Sequence, residues 1–502
     1  CYHKPKVIVV YNIEYELRTY EKLQEKIKQI VNDENKYSVT KCEDLGKSPC
    51  GFPIEHYKIG NGPIHITYMG GCHGNEIISV DFVTQLMNNI AKGNMPYFND
   101  KIFTIDFIPV QNPEGYAITT YAINSKTKDM SKEEFEKFSK EYYLAFREDD
   151  INVTKTNKFL NLFLENFNIS DPSLTTNFWI YFQNKDITIE GLFMYFVNHY
   201  EVNHKELITF LQTNFTKTIS KERNHTKIFN DLTFDCIPEL SDSHKLLKEK
   251  VKKLYKENSF PIGSLANFYA NSDGVNLNDN NPYFYEIMKQ KIAASKVVLG
   301  NIRDNHITKS VPGPIGNANY DMNKPFCYSS ENEAIFKYLN NQDENRENFA
   351  FFNCHGTGGL LYIYPVYNEI NKSEPRDFSF YINNRLATEY TNETGNAYLE
   401  KTGKFDPYKT AGHPSQITGV GDVLRKKYIA SFILELSKMG GNPLAPYGDR
   451  ENNYTLTMQA NFDAFSKTLK TILSLQELYE TSYTMLYDDF GQVHYETSSR
   501  GR

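Results

Sequence analysis

His73 and Glu76 stand three residues apart in GGCHGNE, after the apolar run 64–69 and before a stretch of helical periodicity. On a turn entering a helix, side chains at that spacing project from one side, so an imidazole and a carboxylate can hold one ion together. Zinc suits the pair: it takes nitrogen and oxygen ligands at about 2.0–2.2 Å, and a catalytic site uses three protein ligands and leaves a position open for water. A third ligand must come from elsewhere. The pair alone is unspecific, since a chain with 12 His and 62 acidic residues contains such spacings by chance.

Two further apolar runs end in residues of the right chemistry. The run 349–354 (FAFFNC) leads into His355 in HGTGG, and the run 428–434 (YIASFIL) leads into Glu435. Ligands of open α/β sheets gather at the carboxyl ends of strands. His73, Glu76 and His355 therefore form a candidate zinc site, and Glu435 is a carboxylate able to take a proton from water there.

The elements that must position them alternate in type. Helical spacing marks 15–31, 77–90, 331–340 and 461–479, and strand-like runs occupy 6–11, 37–41, 52–59, 101–110, 296–299 and 361–365. The strand at 101–110 runs into a tight turn over 112–116, NPEGY. Residues 121–273, rich in Lys, Glu, Phe and Tyr, read as a mainly helical insertion with helices near 131–147, 155–167, 189–212 and 242–258. This order predicts an α/β fold, with 1–120 and 274–485 forming the main domain and 486–502 a polar, frayed tail.

The motifs occur in the order found in the zinc metallocarboxypeptidases, the carboxypeptidase A-like peptidases, which the chain resembles over roughly 13–116 and 274–480. The pieces are GGCHGNE, QNPEGY, GVNLNDNNP at 274–282 where the family has a GVDLNRNFP-like segment, HGTGGLLYIYP, and the strand ending at Glu435. The resemblance implies a mixed central sheet flanked by helices, a zinc ion (Zn2+) held by His73, Glu76 and His355, a peptide or peptide-like substrate, and Glu435 as general base and then proton donor to the leaving amine. It also implies that Tyr408, in YKTAG, covers bound substrate.

The departures bear on the substrate. Relatives that trim free C termini read the terminal carboxylate with an Asn-Arg pair; here the pair is Asn278 and Asp279, and an aspartate repels the anion an arginine would bind. Asp279 suits an amine, an amide or a cationic group, as in the diaminopimelate of cell-wall peptides. The family's oxyanion-stabilising arginine is replaced near the expected place by Lys126 and Lys128, with Arg147 as the other candidate. Asp422, beside small residues in TGVGDV, favours a polar or basic substrate side chain. Rival readings are a deacylase of N-acyl amino acids, whose relatives also carry HGNE, and a zinc-binding protein without turnover. No GxSxG elbow supports an esterase.

A net charge of −7 with no basic block gives no reason to expect nucleic acid as partner, and no apolar stretch is long enough for a transmembrane helix. Seven cysteines contain no CxxC; Cys42 and Cys50 are the pair close enough in sequence to suggest a local bridge. A mature Cys1 would suit a lipid anchor, which implies an extracytoplasmic or secreted protein.

Overall fold

The structure is a computed structural model, which describes residues 9–182, 185–220, 223–278, 280, 324–342, 347–356, 361–363, 385–386, 430–436, 442–448, 454–482, 485–489 and 492–495. In chain order the elements are α1 (Tyr20–Asn32), β1 (Val39–Lys41), β2 (Gly46–Lys47), β3 (Pro53–Ile54), β4 (Tyr57–Ile59), β5 (Ile64–Met69), α2 (Ile77–Lys92), β6 (Phe103–Ile108), α3 (Pro113–Thr127), α4 (Lys132–Asn166), α5 (Leu174–Phe182), α6 (Ile189–His199), α7 (His204–Asn214), α8 (Asn224–Lys227) and α9 (Asp242–Asn258). They continue with α10 (Ser330–Asn340), β7 (Glu347–His355), β8 (Leu361–Ile363), β9 (Ala430–Glu435), α11 (Ala445–Gly448), α12 (Tyr454–Ser482), β10 (Met485–Asp489) and β11 (Gln492–Tyr495).

A mixed seven-stranded sheet in the order β1-β4-β6-β5-β7-β9-β8 organises the fold. Its centre, β6-β5-β7-β9, is parallel, and the flanking pairs are antiparallel. Central parallel strands are covered on both faces, which is why their sequences are nearly continuous apolar runs. Alternation along β7 divides them: Ala350, Phe352 and Cys354 enter the larger core with Tyr68, Phe82, Phe432 and Phe465, where α2 and α12 pack. Phe351 enters a smaller core with Met69, Ile108 and Ile433 beneath Ala334, Ile335 and Leu339 of α10. The α/β expectation, a mixed sheet flanked by helices, therefore holds.

The helical segment has two cores. The first half of α4 contributes Phe135 and Tyr142 to the main core, to which Phe229, Leu247, Val251 and Leu265 also belong. Its second half contributes Phe159, Leu160 and Phe163 to a separate cluster with Phe178, Trp179, Tyr195, Phe196 and Phe210 from α5, α6 and α7. One 35-residue helix, started by a Ser131/Glu134 capping box, ties the two together.

Several local expectations are corrected. The NPEGY segment begins α3, with Asn112 as N-cap and Pro113 in the first turn. The helices expected at 131–147 and 155–167 are the single helix α4, and the one expected at 189–212 is divided into α6 and α7, the latter capped by Asn203. Residues 9–19 form neither strand nor helix. Side-chain amides of α2 hold them instead of a ladder: Asn89 Oδ1 accepts from Asn12 N–H at 2.7 Å, and Gln85 Oε1 from Glu14 N–H at 2.9 Å. The tail contains the antiparallel pair β10–β11, in which Met485 is opposite Tyr495, Leu486 opposite His494 and Tyr487 opposite Val493. Cys42 and Cys50 are both free, and Cys50 Sγ lies 3.3 Å from Ser272 Oγ. The expected strand at 296–299 lies outside the described residues, as does Cys1. No helix among the described residues is long and apolar enough to cross a membrane.

Candidate metal centre

The sheet's carboxyl edge assembles the site. Beyond β5 and β6 the chain continues to pair, Gly70 N–H donating to Ile108 O, Gln111 N–H to Gly70 O and Asn112 N–H to Gly71 O. This carries the loop 70–76 forward until Glu76 stands at the N-cap position of α2. Gly74 in that loop lies against Gly115 of α3: a Cβ on Gly74 would fall 2.1 Å from the Gly115 carbonyl carbon. The HGNE and NPEGY motifs thus touch backbone to backbone, which only glycine permits.

His355 is the last residue of β7, in register with Glu435, the last of β9. Gly356 then lets the chain pass Glu76, since a Cβ there would lie 3.0 Å from Glu76 Cβ. His73, Glu76 and His355 are all buried and their ligand atoms lie within 4.8 Å of one another. His73 Nδ1 is 3.1 Å from Glu76 Oε1, His355 Nδ1 is 3.0 Å from Glu76 Oε2, and the two Nδ1 atoms are 3.3 Å apart. Ligands about 2.0 Å from a tetrahedral ion stand about 3.3 Å from each other. The donor set and its spacing therefore fit zinc. Burial disfavours a charged Glu76, yet the two imidazoles hold its carboxyl well below the usual carboxylate range.

A second layer fixes the first. Asn276 Oδ1 lies 3.2 Å from His73 Nε2; with a proton on Nε2 donated to that oxygen, Nδ1 is left as the ligand atom. The Tyr269 ring stacks on the His73 imidazole with centroids 3.7 Å apart. Tyr269 O accepts from Gly74 N–H at 3.2 Å, and Asn267 Oδ1 accepts from Asn75 Nδ2 at 2.8 Å. The segment 267–278 is thus laid over the ligand loop, with Val275 and Leu277 packed on Cys72. Neither Asn276 nor Tyr269 was singled out from the sequence. The signal for Asn276 was available: it occupies the third place of GVNLN, where the family-like segment has an aspartate.

The other expected site residues divide. Asn278 is buried, its N–H donates to Asn276 Oδ1 at 3.1 Å, and its own Oδ1 is buried without a partner among the described residues. Asp279, Tyr408 and Asp422 lie outside the described residues. Arg147 is exposed on α4, and among the described residues no hydrogen bond or ion pair joins it to the cluster. Lys126 is committed to Asp231 at 2.8 Å and to Ile228 O.

The zinc carboxypeptidase family profile matches residues 26–168, a span that contains His73 and Glu76 and stops before His355 and Glu435. Among solved structures the chain is similar to bovine thrombin-activatable fibrinolysis inhibitor in complex with tick carboxypeptidase inhibitor, at 10% identity over 92% of this chain and 98% of that one, with a TM-score of 0.42. It is also similar to the carboxypeptidase A of Helicoverpa armigera, at 11% identity over 92% and 74% with a TM-score of 0.41. A third is the metallo-carboxypeptidase of Burkholderia cenocepacia, at 9% identity over 90% and 70% with a TM-score of 0.38. No curated protein matches the chain.

Proposed function

We propose, for a chain whose residues 26–168 match the zinc carboxypeptidase family, that it is a zinc-dependent hydrolase of peptide or amide bonds with an atypical way of reading the substrate end. The observation that carries this reading is the buried triangle of His73, Glu76 and His355 with Glu435 in register beside it. Zinc, when bound, would polarise the scissile carbonyl and lower the pKa of water. The chain's own residues supply the rest.

Glu435, half-buried at the end of β9, takes the proton of the attacking water and delivers it to the leaving amine. Asn276 holds the His73 ring so that Nδ1 faces the ligands. Asn278, two residues on, offers a buried carbonyl oxygen that accepts a substrate N–H. Asp279 in the following position favours an amine or amide over a free terminal carboxylate.

The test incubates zinc-loaded protein and Glu435→Gln with free-ended peptides, amidated peptides and muropeptides, and identifies products by mass spectrometry. The expected result is cleavage on the amidated or diaminopimelate-containing arm, slowed about 10²- to 10⁴-fold by the substitution. Equal activity of the two proteins would reject the role of Glu435. Brisk trimming of ordinary free-ended peptides, with no diaminopimelate released, would reject the reading of Asp279.

A further inference from the structure

A cavity of about 530 Å³ lies in the helical segment, lined by α4, α5, α6 and the chain that follows α7, and it shares no residue with the metal centre. Its size is in the range of small-molecule sites. One lining residue is out of place in a protein interior. Arg223 is only 7% exposed, and its guanidinium carbon lies 5.3 Å from the centroid of the Trp179 ring. A ring face attracts a cation but supplies no acceptor atoms in the guanidinium plane.

Among the described residues the Arg223 guanidinium has no hydrogen-bond or ion-pair partner. The nearby Asp149 is already engaged: Oδ2 lies 2.7 Å from His225 Nδ1 and accepts from His225 N–H, while Oδ1 accepts from Asn224 N–H. Burial lowers the pKa of Arg223 although Asp149 and Asp150 oppose the shift. A guanidinium remains charged in any protein. Its nitrogens are not sealed from the cavity it lines, and with no acceptor among the described residues an anion is the complement the site lacks.

The rest of the lining agrees. Among the described lining residues, Lys155, Lys158, Lys217 and Lys227 stand with Arg223 against Glu148 and Asp149, five cationic groups to two acidic ones. Lys155, Lys158 and Lys217 are exposed, whereas Phe159, Phe178 and Leu192 are buried. We propose that this cavity binds a small organic anion, its carboxylate or phosphate paired with Arg223 and its apolar body against Phe159, Phe178 and Leu192. A fork of N–H donors suits the two oxygens of either group.

Trp179 is the chain's one tryptophan and serves as the reporter. Full-length protein is titrated at low salt with phenyl phosphate, benzoate and inorganic phosphate, with benzyl alcohol and benzylamine as uncharged and cationic counterparts. A saturable change in Trp179 emission is expected with phenyl phosphate or benzoate, a weaker one with inorganic phosphate, and none with the counterparts. The phenyl phosphate and benzoate arms tell which head group the site takes. Arg223→Gln should weaken binding about tenfold or more. Should that variant fail to fold, Lys158→Glu with Lys217→Glu, both at exposed positions, should weaken binding several-fold and flatten its salt dependence. His73→Ala with His355→Ala should leave binding intact. The proposal is overturned by absence of a saturable response to both aromatic anions, by binding indifferent to the Arg223 and lysine changes, or by binding lost with the metal ligands.

Discussion

His355 and Glu435 are the last register pair of the parallel β7–β9 ladder. Opposed residues on neighbouring strands point to one face of the sheet, so a candidate metal ligand and a carboxylate are held side by side by backbone pairing, and Leu436 N–H extends it by donating to His355 O at 2.9 Å. In the proposed reading, ligation therefore falls to β7 and proton transfer to β9. Glu435→Gln should keep one equivalent of zinc and lose turnover, whereas His355→Ala should lose zinc at micromolar chelator. Metal content by atomic emission, read beside the peptide assay, separates the two; a Glu435→Gln protein that has lost its zinc would contradict the division.

Asn276 presents an amide to His73 Nε2 where the family-like segment has a carboxylate. A carboxylate there would make the imidazole a stronger ligand. Asn276→Asp should therefore tighten zinc binding, and Asn276→Ala should weaken it about 10- to 100-fold. Competition with a chromogenic chelator measures both. Equal affinities for all three proteins would remove Asn276 from the positioning of His73.

What the sequence made legible was chemistry at strand ends. His73, Glu76, His355 and Glu435 each come after an apolar run, and strand ends are where an α/β sheet exposes side chains to a ligand. Asn276 and Tyr269 were hidden because they reach His73 across about two hundred residues, and an asparagine or tyrosine in a loop has no periodicity to betray its partner. The turn expected at 112–116 failed for a different reason: Asn-Pro is a turn signal and also a helix start, and the residues C-terminal to it decide between the two. Arg147, the candidate within the insertion, stands on α4 and faces solvent.

Gly74 and Gly115 make the tightest backbone approach near the ligands. A Cβ at Gly74 would meet Gly115 backbone atoms at 2.1 and 2.4 Å, so the ligand loop and the start of α3 would have to separate. Gly74→Ala should cost about 1–3 kcal/mol of stability and, because His73 is the preceding residue, weaken zinc binding as well. Thermal melts with and without zinc test this. A Gly74→Ala protein with unaltered melting temperature and zinc affinity would show that the loop absorbs the methyl without moving His73.

Away from the site, His56 and Asp106 form a buried pair that joins the start of β4 to β6, with Nε2 to Oδ1 at 2.8 Å and His65 Nδ1 3.5 Å from Oδ2. Burial opposes protonation of His56, but hydrogen bonds to Asp106 and Cys42 raise its pKa from 6.5 to about 9. Burial likewise opposes ionisation of Asp106, and the bonds to His56 and His65 lower its pKa from 3.8 to about 2. A raised histidine contributes fully below its unfolded value and loses its contribution as pH climbs through the folded one; a depressed aspartate contributes above its unfolded value and loses it as pH falls. The pair is thus at full strength between about pH 4 and 6.5 and fades towards about pH 9. The two shifts report one interaction, worth on the order of 2–3 kcal/mol. Asp106→Asn should therefore be most destabilising near pH 6, with the gap to wild type narrowing by pH 9.5. Urea unfolding at pH 6, 7.5 and 9.5 measures it; a gap constant across that range would mean that His56 does not carry a proton in the folded protein.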